Sequence, residues 1–367
     1  MLVARTDVVG SLLRPPELLL ARERWDRREI GPAEFKRIED AAVDSVIRLQ
    51  EDAGLAVVTD GEMRRLSFQS QLTEAVEGFS DWDLDAFLWG DWYGAEVGDK
   101  HVKRPRIAVL DRLRRRRFLS AEEFTYARGR TTRIVKVTLP SPSLFANFYD
   151  PERSRAAYPS LEDFLADVAE ILREEVDELV RLGCRYVQLD APHYPLLLDP
   201  AYREFYASRG WPAQRWLDLG VELDNIVFGS HPDLTCGFHL CRGNQESRWL
   251  VAGGYGWLAE RLFPRIAAQR LLLEYDDERS GGFEPLVMVP EGKTAVLGLV
   301  TTKTGRRETV DELETRIRAA ACYQPLEHLA LSPQCGFATS ILGNSISVAD
   351  QDAKLRTIVA TAERVWG

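Results

Sequence analysis

An alternation of short apolar runs with longer amphipathic segments constrains the fold of this chain more than any other feature. The runs are rich in β-branched residues and have the length of buried strands, whereas segments such as 161–182 repeat their apolar residues at helical spacing. Eight runs are predicted as strands, at residues 8–11, 56–59, 134–139, 186–190, 235–240, 271–275, 295–300 and 329–332. Eight strands that alternate with helices predict an α/β fold, the parallel (β/α)8 TIM barrel.

The length of the chain fits one barrel with long insertions. A barrel of this kind needs about 250 residues, and the chain has 367. We therefore predict a single catalytic barrel over residues 1–367, with an insertion at 77–130 after the second strand. The insertion carries Trp82, Trp89 and Trp92 and is expected to help shape the substrate pocket. No Gly-x-Gly-x-x-Gly turn follows an early strand, which argues against a dinucleotide-binding fold.

The net charge limits the classes of molecule that the protein is expected to bind, and the number of cysteines indicates its cellular compartment. The chain has 47 basic and 57 acidic residues and a net charge of −10, which argues against a nucleic-acid-binding surface. No apolar stretch approaches the ~18 residues of a membrane-spanning helix, and the N-terminus lacks the pattern of a signal peptide. Five cysteines, an odd number, favour a reducing compartment. We expect a cytoplasmic protein that binds neither nucleic acid nor membrane.

Polar residues follow the carboxyl ends of the predicted strands, where barrel enzymes keep their active sites. His239 and Cys241 share a face of one strand, because residues i and i+2 point the same way. Alone, this pair also fits a buried histidine beside a core cysteine. Glu274 and Cys335, at the ends of two other strands, favour a metal site instead, since nitrogen, sulfur and oxygen ligands from separate strands are typical of zinc. Such a site suits an enzyme that activates a thiol, because a zinc-bound thiol is deprotonated at neutral pH.

These motifs make the chain resemble the cobalamin-independent methionine synthase family, in the short group that corresponds to the C-terminal half of the long enzyme. The resemblance extends from Val9 to Gly367. It depends on Val-Gly-Ser-Leu-Leu-Arg-Pro at 9–15, Thr-Asp-Gly-Glu at 59–62, Gln-Leu-Asp at 188–190, His-Leu-Cys-Arg-Gly-Asn at 239–244, Leu-Glu-Tyr-Asp-Asp-Glu-Arg-Ser-Gly at 273–281 and Leu-Ser-Pro-Gln-Cys-Gly at 331–336.

The resemblance implies roles for individual residues. It implies that zinc is the cofactor and that its ligands are His239, Cys241, Glu274 and Cys335. It also implies that the amino and carboxylate groups of homocysteine are held by Ser11, Glu62 and Asp190. Two carboxylates opposite an ammonium are chemically reasonable in their own right, because each accepts a charge-assisted hydrogen bond.

Two positions depart from the family pattern. Lys303 stands where the long enzyme has a histidine that protonates the folate, and Ala191 replaces the glutamate of an Asp-Glu-Pro motif. A lysine in this place can bind an anion, or donate a proton if its pKa is depressed. We predict Lys303 and Asp190 as catalytic residues. His193 is a candidate substrate contact, although the sequence fits a surface histidine equally well.

The sequence thus predicts a methyltransferase that methylates homocysteine to methionine. The donor is a reduced folate, a small methylated compound or a corrinoid protein, and a homo-oligomer is compatible with the sequence. One alternative is the same zinc-thiolate chemistry on another thiol or electrophile, as in epoxide-opening coenzyme M transferases. Another is a non-catalytic relative that binds an amino acid or zinc. Glu62 and Asp190 favour an amino-acid thiol, because two carboxylates would repel a sulfonate.

Overall fold

The computed structural model of the chain describes residues 3–80, 90–94, 100–103, 108–208 and 210–367. Its strands are β1 (Val57–Val58), β2 (Val76–Phe79), β3 (Gly90–Tyr93), β4 (Lys100–Lys103), β5 (Val109–Arg115), β6 (Ile134–Pro140), β7 (Tyr186–Asp190), β8 (Thr235–Leu240), β9 (Arg270–Glu274), β10 (Thr294–Val300) and β11 (Leu329–Pro333). Its α-helices are α1 (Pro16–Asp26), α2 (Pro32–Asp52), α3 (Ser70–Ala75), α4 (Ala121–Arg128), α5 (Leu161–Arg181), α6 (His193–Leu196), α7 (Pro200–Ser208), α8 (Ala213–Phe228), α9 (Gly256–Leu262), α10 (Val310–Ala320) and α11 (Val348–Trp366).

Seven of these strands form one parallel sheet in the order β1-β6-β7-β8-β9-β10-β11. They correspond to seven of the eight predicted strands, with bounds that agree to within one residue at each end. The parallel register brings the strand ends together at one edge, where Asp190 lies opposite His239. The fold is therefore mixed α/β with a curled parallel sheet, and its carboxyl edge carries the polar motifs.

The predicted first strand at 8–11 differs from the structure. Pairing occurs earlier, through a parallel bridge between Thr6 and Leu331 of β11, in which the Asp7 amide donates to the Leu331 carbonyl at 2.9 Å. From Gly10 onward the backbone bonds to the loop after β1, to Phe337 after β11 and to the Gln351 side chain of α11 instead. The Thr59 hydroxyl donates to the Gly10 carbonyl at 2.6 Å, and the Leu12 amide donates to the Gly61 carbonyl at 3.0 Å. These bonds replace a strand ladder and end the extended pairing.

Amphipathic helices cover the sheet and close its core. In α5, Ser160 caps the first turn by accepting from the Asp163 amide, and Phe164, Val168 and Leu172 are fully buried. One main core extends along the chain from Val8 to Val365. Among the helices that the structure describes, none combines the length and the apolar character needed to span a membrane.

The predicted insertion at 77–130 contains two kinds of structure in its described parts. β2 pairs with β5 in a two-stranded antiparallel sheet. Arg114 and Arg116 at the surface of this sheet both form ion pairs with Glu77. Helix α4, by contrast, buries Phe124 in the main core, so this part belongs to the helix layer. Trp92 packs in a small cluster with the residues Leu196, Leu250 and Val251. Trp82 and Trp89 lie outside the described residues.

Candidate metal centre and substrate cavity

A cavity opens at the carboxyl edge of the sheet and is lined by all the predicted site residues except Glu274 and Lys303. Its empty space, with the open mouth included, amounts to about 820 Å³. One part of its wall is apolar and includes Phe68, Trp92, Leu144, Leu196 and Leu250. The other part is polar and carries the residues Ser11, Glu62, Asp190, His193, His239, Cys241 and Cys335. The polar wall is where chemistry can occur.

His239, Cys241 and Cys335 form a tight group on this polar wall. A ring nitrogen of His239 and the two Sγ atoms all lie within 4.8 Å of one another, and all three residues are buried. Two of them come from the end of β8, and Cys335 comes from two residues after the end of β11. The alternation of side chains along a strand places His239 and Cys241 on the same side. The loop that follows β11 supplies the third residue, Cys335.

The hydrogen bonds of His239 leave one nitrogen for a metal. Its Nδ1 lies 2.9 Å from Asp190 Oδ1, whereas its Nε2 is buried and has no hydrogen-bond partner in the described part of the chain. A buried polar atom without a partner is costly, and a metal ion would satisfy it. The Cys241 thiol hydrogen-bonds to Cys335 and lowers the pKa of the Cys335 thiol. One imidazole nitrogen and two sulfurs with a histidine-orienting carboxylate fit zinc.

Glu274 lies at the end of β9 and outside this three-residue group. One carboxylate oxygen accepts from the Arg242 amide, and the other lies 3.2 Å from Lys303 Nζ. Burial alone would raise the pKa of Glu274, but the charges of Lys303, Arg242 and Arg279 outweigh burial and hold it well below its usual range. Burial would likewise lower the pKa of Lys303, but Glu274 and Asp276 raise it. Both groups are therefore charged at neutral pH.

Asp190 is itself held by a chain of side chains that reaches the centre of the sheet. Gln188 Nε2 donates to Asp190 Oδ1 at 2.7 Å, and Lys136 Nζ donates to Gln188 Oε1 at 2.6 Å. The Lys136 bond fixes which end of the Gln188 amide faces Asp190, because an ammonium can only donate. The sequence indicated Gln188 only as part of a motif, and it gave no role to Lys136. The shared strand face of Gln188 and Asp190 was the available signal.

Ser11 and Glu62 lie on the cavity wall, and Glu62 has an unusual backbone. Its φ of 55° is in the left-handed region, which is costly for a residue with a side chain and is concentrated at functional sites. Glu62 Oε1 accepts from the Thr138 hydroxyl at 2.7 Å, while its buried Oε2 has no hydrogen-bond partner among the described residues. A Cβ at Gly10 would lie 2.6 Å from Oε1, so glycine is needed there. The unpaired oxygen suits a substrate ammonium.

His193 is a buried residue of the cavity wall, so the surface alternative is wrong. Its Nε2 lies 2.7 Å from the Ser143 hydroxyl, and burial lowers its pKa to about 3. The ring is therefore neutral at physiological pH. Its Nδ1 has no hydrogen-bond partner within the described ranges, which leaves one polar atom available to a ligand.

Arg65 supports Glu62 from behind and was missed in the sequence. It is almost fully buried, and its NH1 lies 3.5 Å from Glu62 Oε1, while its NH2 lies 2.9 Å from Glu123. Burial raises the pKa of Glu62, and the Arg65 charge opposes that shift. A basic residue three positions after a site carboxylate, on the same loop, was the signal that could have identified it.

A family model described as "Cobalamin-independent synthase, Catalytic domain" matches residues 4–363 of the chain. The chain belongs to the cobalamin-independent methionine synthase family. The resemblance predicted from the motifs is thereby confirmed. Membership of this family also supports methyl transfer over the coenzyme M-type and non-catalytic alternatives.

Individual proteins resemble the chain over most of their length. The chain is 32% identical to the "Uncharacterized protein YxjH" of Bacillus subtilis, over 99% of this chain and 94% of that protein. It is 30% identical to a methionine synthase of Pyrococcus abyssi, over 90% of this chain and 85% of the relative. Among solved structures, a putative vitamin-B12 independent methionine synthase from Listeria monocytogenes superposes with a TM-score of 0.75 at 26% identity, covering all of both chains.

Proposed function

We propose that the chain is a zinc-dependent methyltransferase that methylates the sulfur of homocysteine and forms methionine. The observation that carries this proposal is the shared cavity: a histidine and two cysteines converge on the same wall that carries Glu62 and Asp190. The first group suits a metal that binds a thiol, and the second suits the ammonium of an amino acid. Few substrates other than an amino-acid thiol satisfy both.

The proposed metal ligands are His239, Cys241 and Cys335, with Glu274 as the fourth. Zinc, when bound, would keep the substrate thiol deprotonated at neutral pH. Asp190 orients the imidazole of His239 through Nδ1, and Glu62 Oε2 with Ser11 would bind the amino-acid end of the substrate. The apolar wall around Trp92 and Leu250 would keep water from the reacting sulfur. A sulfur–carbon bond then forms as the bond between the methyl carbon and its leaving group breaks.

A sulfonate thiol such as coenzyme M fits this cavity poorly. Glu62 and Asp190 both line it, and two carboxylates would repel a sulfonate. The same two groups attract the ammonium of homocysteine. The charges of the polar wall therefore favour the amino-acid substrate, in agreement with the family.

We propose that the sheet closes into a (β/α)8 barrel over residues 1–367 with residues 77–130 inserted, supported by the Thr6–Leu331 bridge on one side and the Thr59–Gly10 bond on the other. Five free cysteines support a cytoplasmic location. We keep a methylated corrinoid protein among the candidate methyl donors.

We also propose that the protein can form a homo-oligomer, and a light-scattering measurement of its mass in solution tests this proposal.

The methyl donor is predicted to differ from that of the long enzymes. Lys303, which stands at the place of their proton donor, is a fixed cation beside Glu274. It cannot act as an exchanging acid for a folate leaving group. We expect slow methionine formation from methyltetrahydrofolate and faster formation from a donor whose leaving group needs no protonation. The measurement is methionine formed from homocysteine by the zinc-loaded protein, with methyltetrahydrofolate, a methylated corrinoid protein and small methylated compounds.

The Lys303→Ala variant serves as the comparison in this donor panel. Efficient folate-dependent methionine formation by the wild type would contradict the expected donor, and its persistence in Lys303→Ala would also contradict the catalytic role that the sequence predicted for Lys303. Failure of every donor to methylate homocysteine would count against the proposed substrate itself.

A further inference from the structure

The carboxylate of Glu274 is held from two sides by groups other than the three candidate ligands. The Arg242 backbone amide donates to Oε2, and Lys303 Nζ lies 3.2 Å from Oε1. Arg279 NH2 lies 3.6 Å from the same Oε1. The carboxylate is completely buried and forms these bonds outside the group of His239 and the two cysteines. Its position is therefore set by hydrogen bonds that a metal would have to weaken or break.

The buried Lys303 ammonium in turn depends on the Glu274 carboxylate for its ion pair. Its side chain is only 7% exposed, and within the described part of the chain its ammonium has one ion-pair partner, Glu274. Asp276 is a buried neighbour whose carboxylate oxygens have no hydrogen-bond partner among the described residues. A buried ammonium needs a bonded anion, so Lys303 keeps hold of the Glu274 carboxylate.

We infer that Lys303 is a positioning residue that competes with the metal for Glu274. This inference rests on the proposed function. His239, Cys241 and Cys335 would hold the ion firmly, while Glu274, shared with Lys303, would be a weak fourth ligand. Catalytic zinc sites keep a position open for substrate, and a carboxylate that already has partners can leave the metal without becoming an unpaired buried charge. Release of Glu274 to Lys303 would leave room beside the three firm ligands for a substrate thiol.

The test uses the full-length protein with Co²⁺ and Zn²⁺ as probes. We would compare the wild type, Lys303→Met, Glu274→Gln and the double variant by chelator competition for zinc affinity. The visible absorption spectrum of the Co²⁺ forms, with and without homocysteine, reports the number and type of ligands. Lys293→Met is the matched control, because Lys293 is a partly buried lysine whose ammonium binds the backbone carbonyls of Phe263 and Ile266.

We expect Lys303→Met to bind zinc roughly tenfold more tightly, which is the scale on which outer-shell groups change metal affinity. Its Co²⁺ spectrum should change before homocysteine is added, and homocysteine should alter it less than in the wild type. Glu274→Gln alone should change zinc affinity by less than about threefold, because the fourth ligand is weak. In the double variant the tighter binding should disappear. Lys293→Met should behave as the wild type.

Two results would overturn the inference. One is that Lys303→Met, shown to be folded by circular dichroism, binds zinc no more tightly than the wild type. The other is that tighter binding persists in the double variant, since the gain would then come from removing a positive charge near the ion and not from releasing Glu274. Should Lys303→Met fail to fold, Lys303→Gln is held to the same expectations. A wild type that binds no stoichiometric zinc would refute the proposed metal centre itself, a result distinct from either of these.

Discussion

Replacement of Cys241 or Cys335 by serine is expected to remove most of the bound zinc and to abolish methionine formation. The wild type should hold about one zinc per chain. Among the described residues, each sulfur is one of three buried donor atoms that lie within 4.8 Å of one another, so its loss would leave a poorly held metal. Zinc affinity should fall by more than about 100-fold, beyond the 10- to 100-fold typical of groups outside the ligand shell. Metal analysis after gel filtration, together with chelator competition, measures the effect.

Cys236→Ser is the matched control for these variants. Cys236 lies on the same strand, β8, but is buried in the main apolar core and does not belong to the three-residue group. This variant can lose some stability and should keep its zinc. Full zinc occupancy in Cys241→Ser and Cys335→Ser would remove the basis for the proposed centre.

Glu62→Gln is expected to impair the use of homocysteine while leaving the metal in place. The Glu62 carboxylate is buried on the cavity wall with one oxygen unpaired among the described residues. Removing the charge from a charge-assisted hydrogen bond to an ammonium costs roughly 1.5–3 kcal/mol, or about 10- to 100-fold in kcat/KM. The measurement is steady-state kinetics in homocysteine, with zinc content determined on the same preparations.

Two further variants make this result specific. Glu175→Gln is the control for loss of a buried glutamate, because Glu175 accepts from the Leu119 and Ser120 amides away from the cavity. It should keep normal kinetics in homocysteine. Asp190→Asn should lower both homocysteine use and zinc affinity, because Asp190 also bonds to His239. Unchanged kinetics in Glu62→Gln would mean that the amino group of the substrate is bound elsewhere.

Most of the strand ladder could be predicted from sequence because buried parallel strands are short apolar runs with clear ends. β7 and β8 were predicted with the bounds that the structure gives. The strand predicted at 8–11 is wrong, because Val8 and Val9 look like a strand locally while the Gly10 carbonyl bonds to the side chain of Thr59. A contact between residues 49 positions apart has no local signature.

In the candidate site, too, one part could be predicted from the sequence and another could not. The convergence of His239, Cys241 and Cys335 followed from strand parity and from the rule that strand ends share one edge. The partners of these residues could not be predicted. Lys136 and Gln188 are 52 positions apart, and Lys303 and Glu274 are 29 apart. Which buried charges pair across such distances depends on packing in three dimensions, and a single sequence does not contain that information in any local pattern.

The two walls of the cavity differ in how freely evolution can change them. The polar wall is built from strand ends and is tied to the sheet through Asp190, Gln188 and Lys136, so a substitution there disturbs the sheet itself. The apolar wall comes from elsewhere: Trp92 belongs to the 77–130 segment, and Phe68 and Leu250 lie on loops. Under the proposed function, lineages could therefore exchange one methyl donor for another by remodelling loops, while the polar wall that would activate the thiol is inherited unchanged.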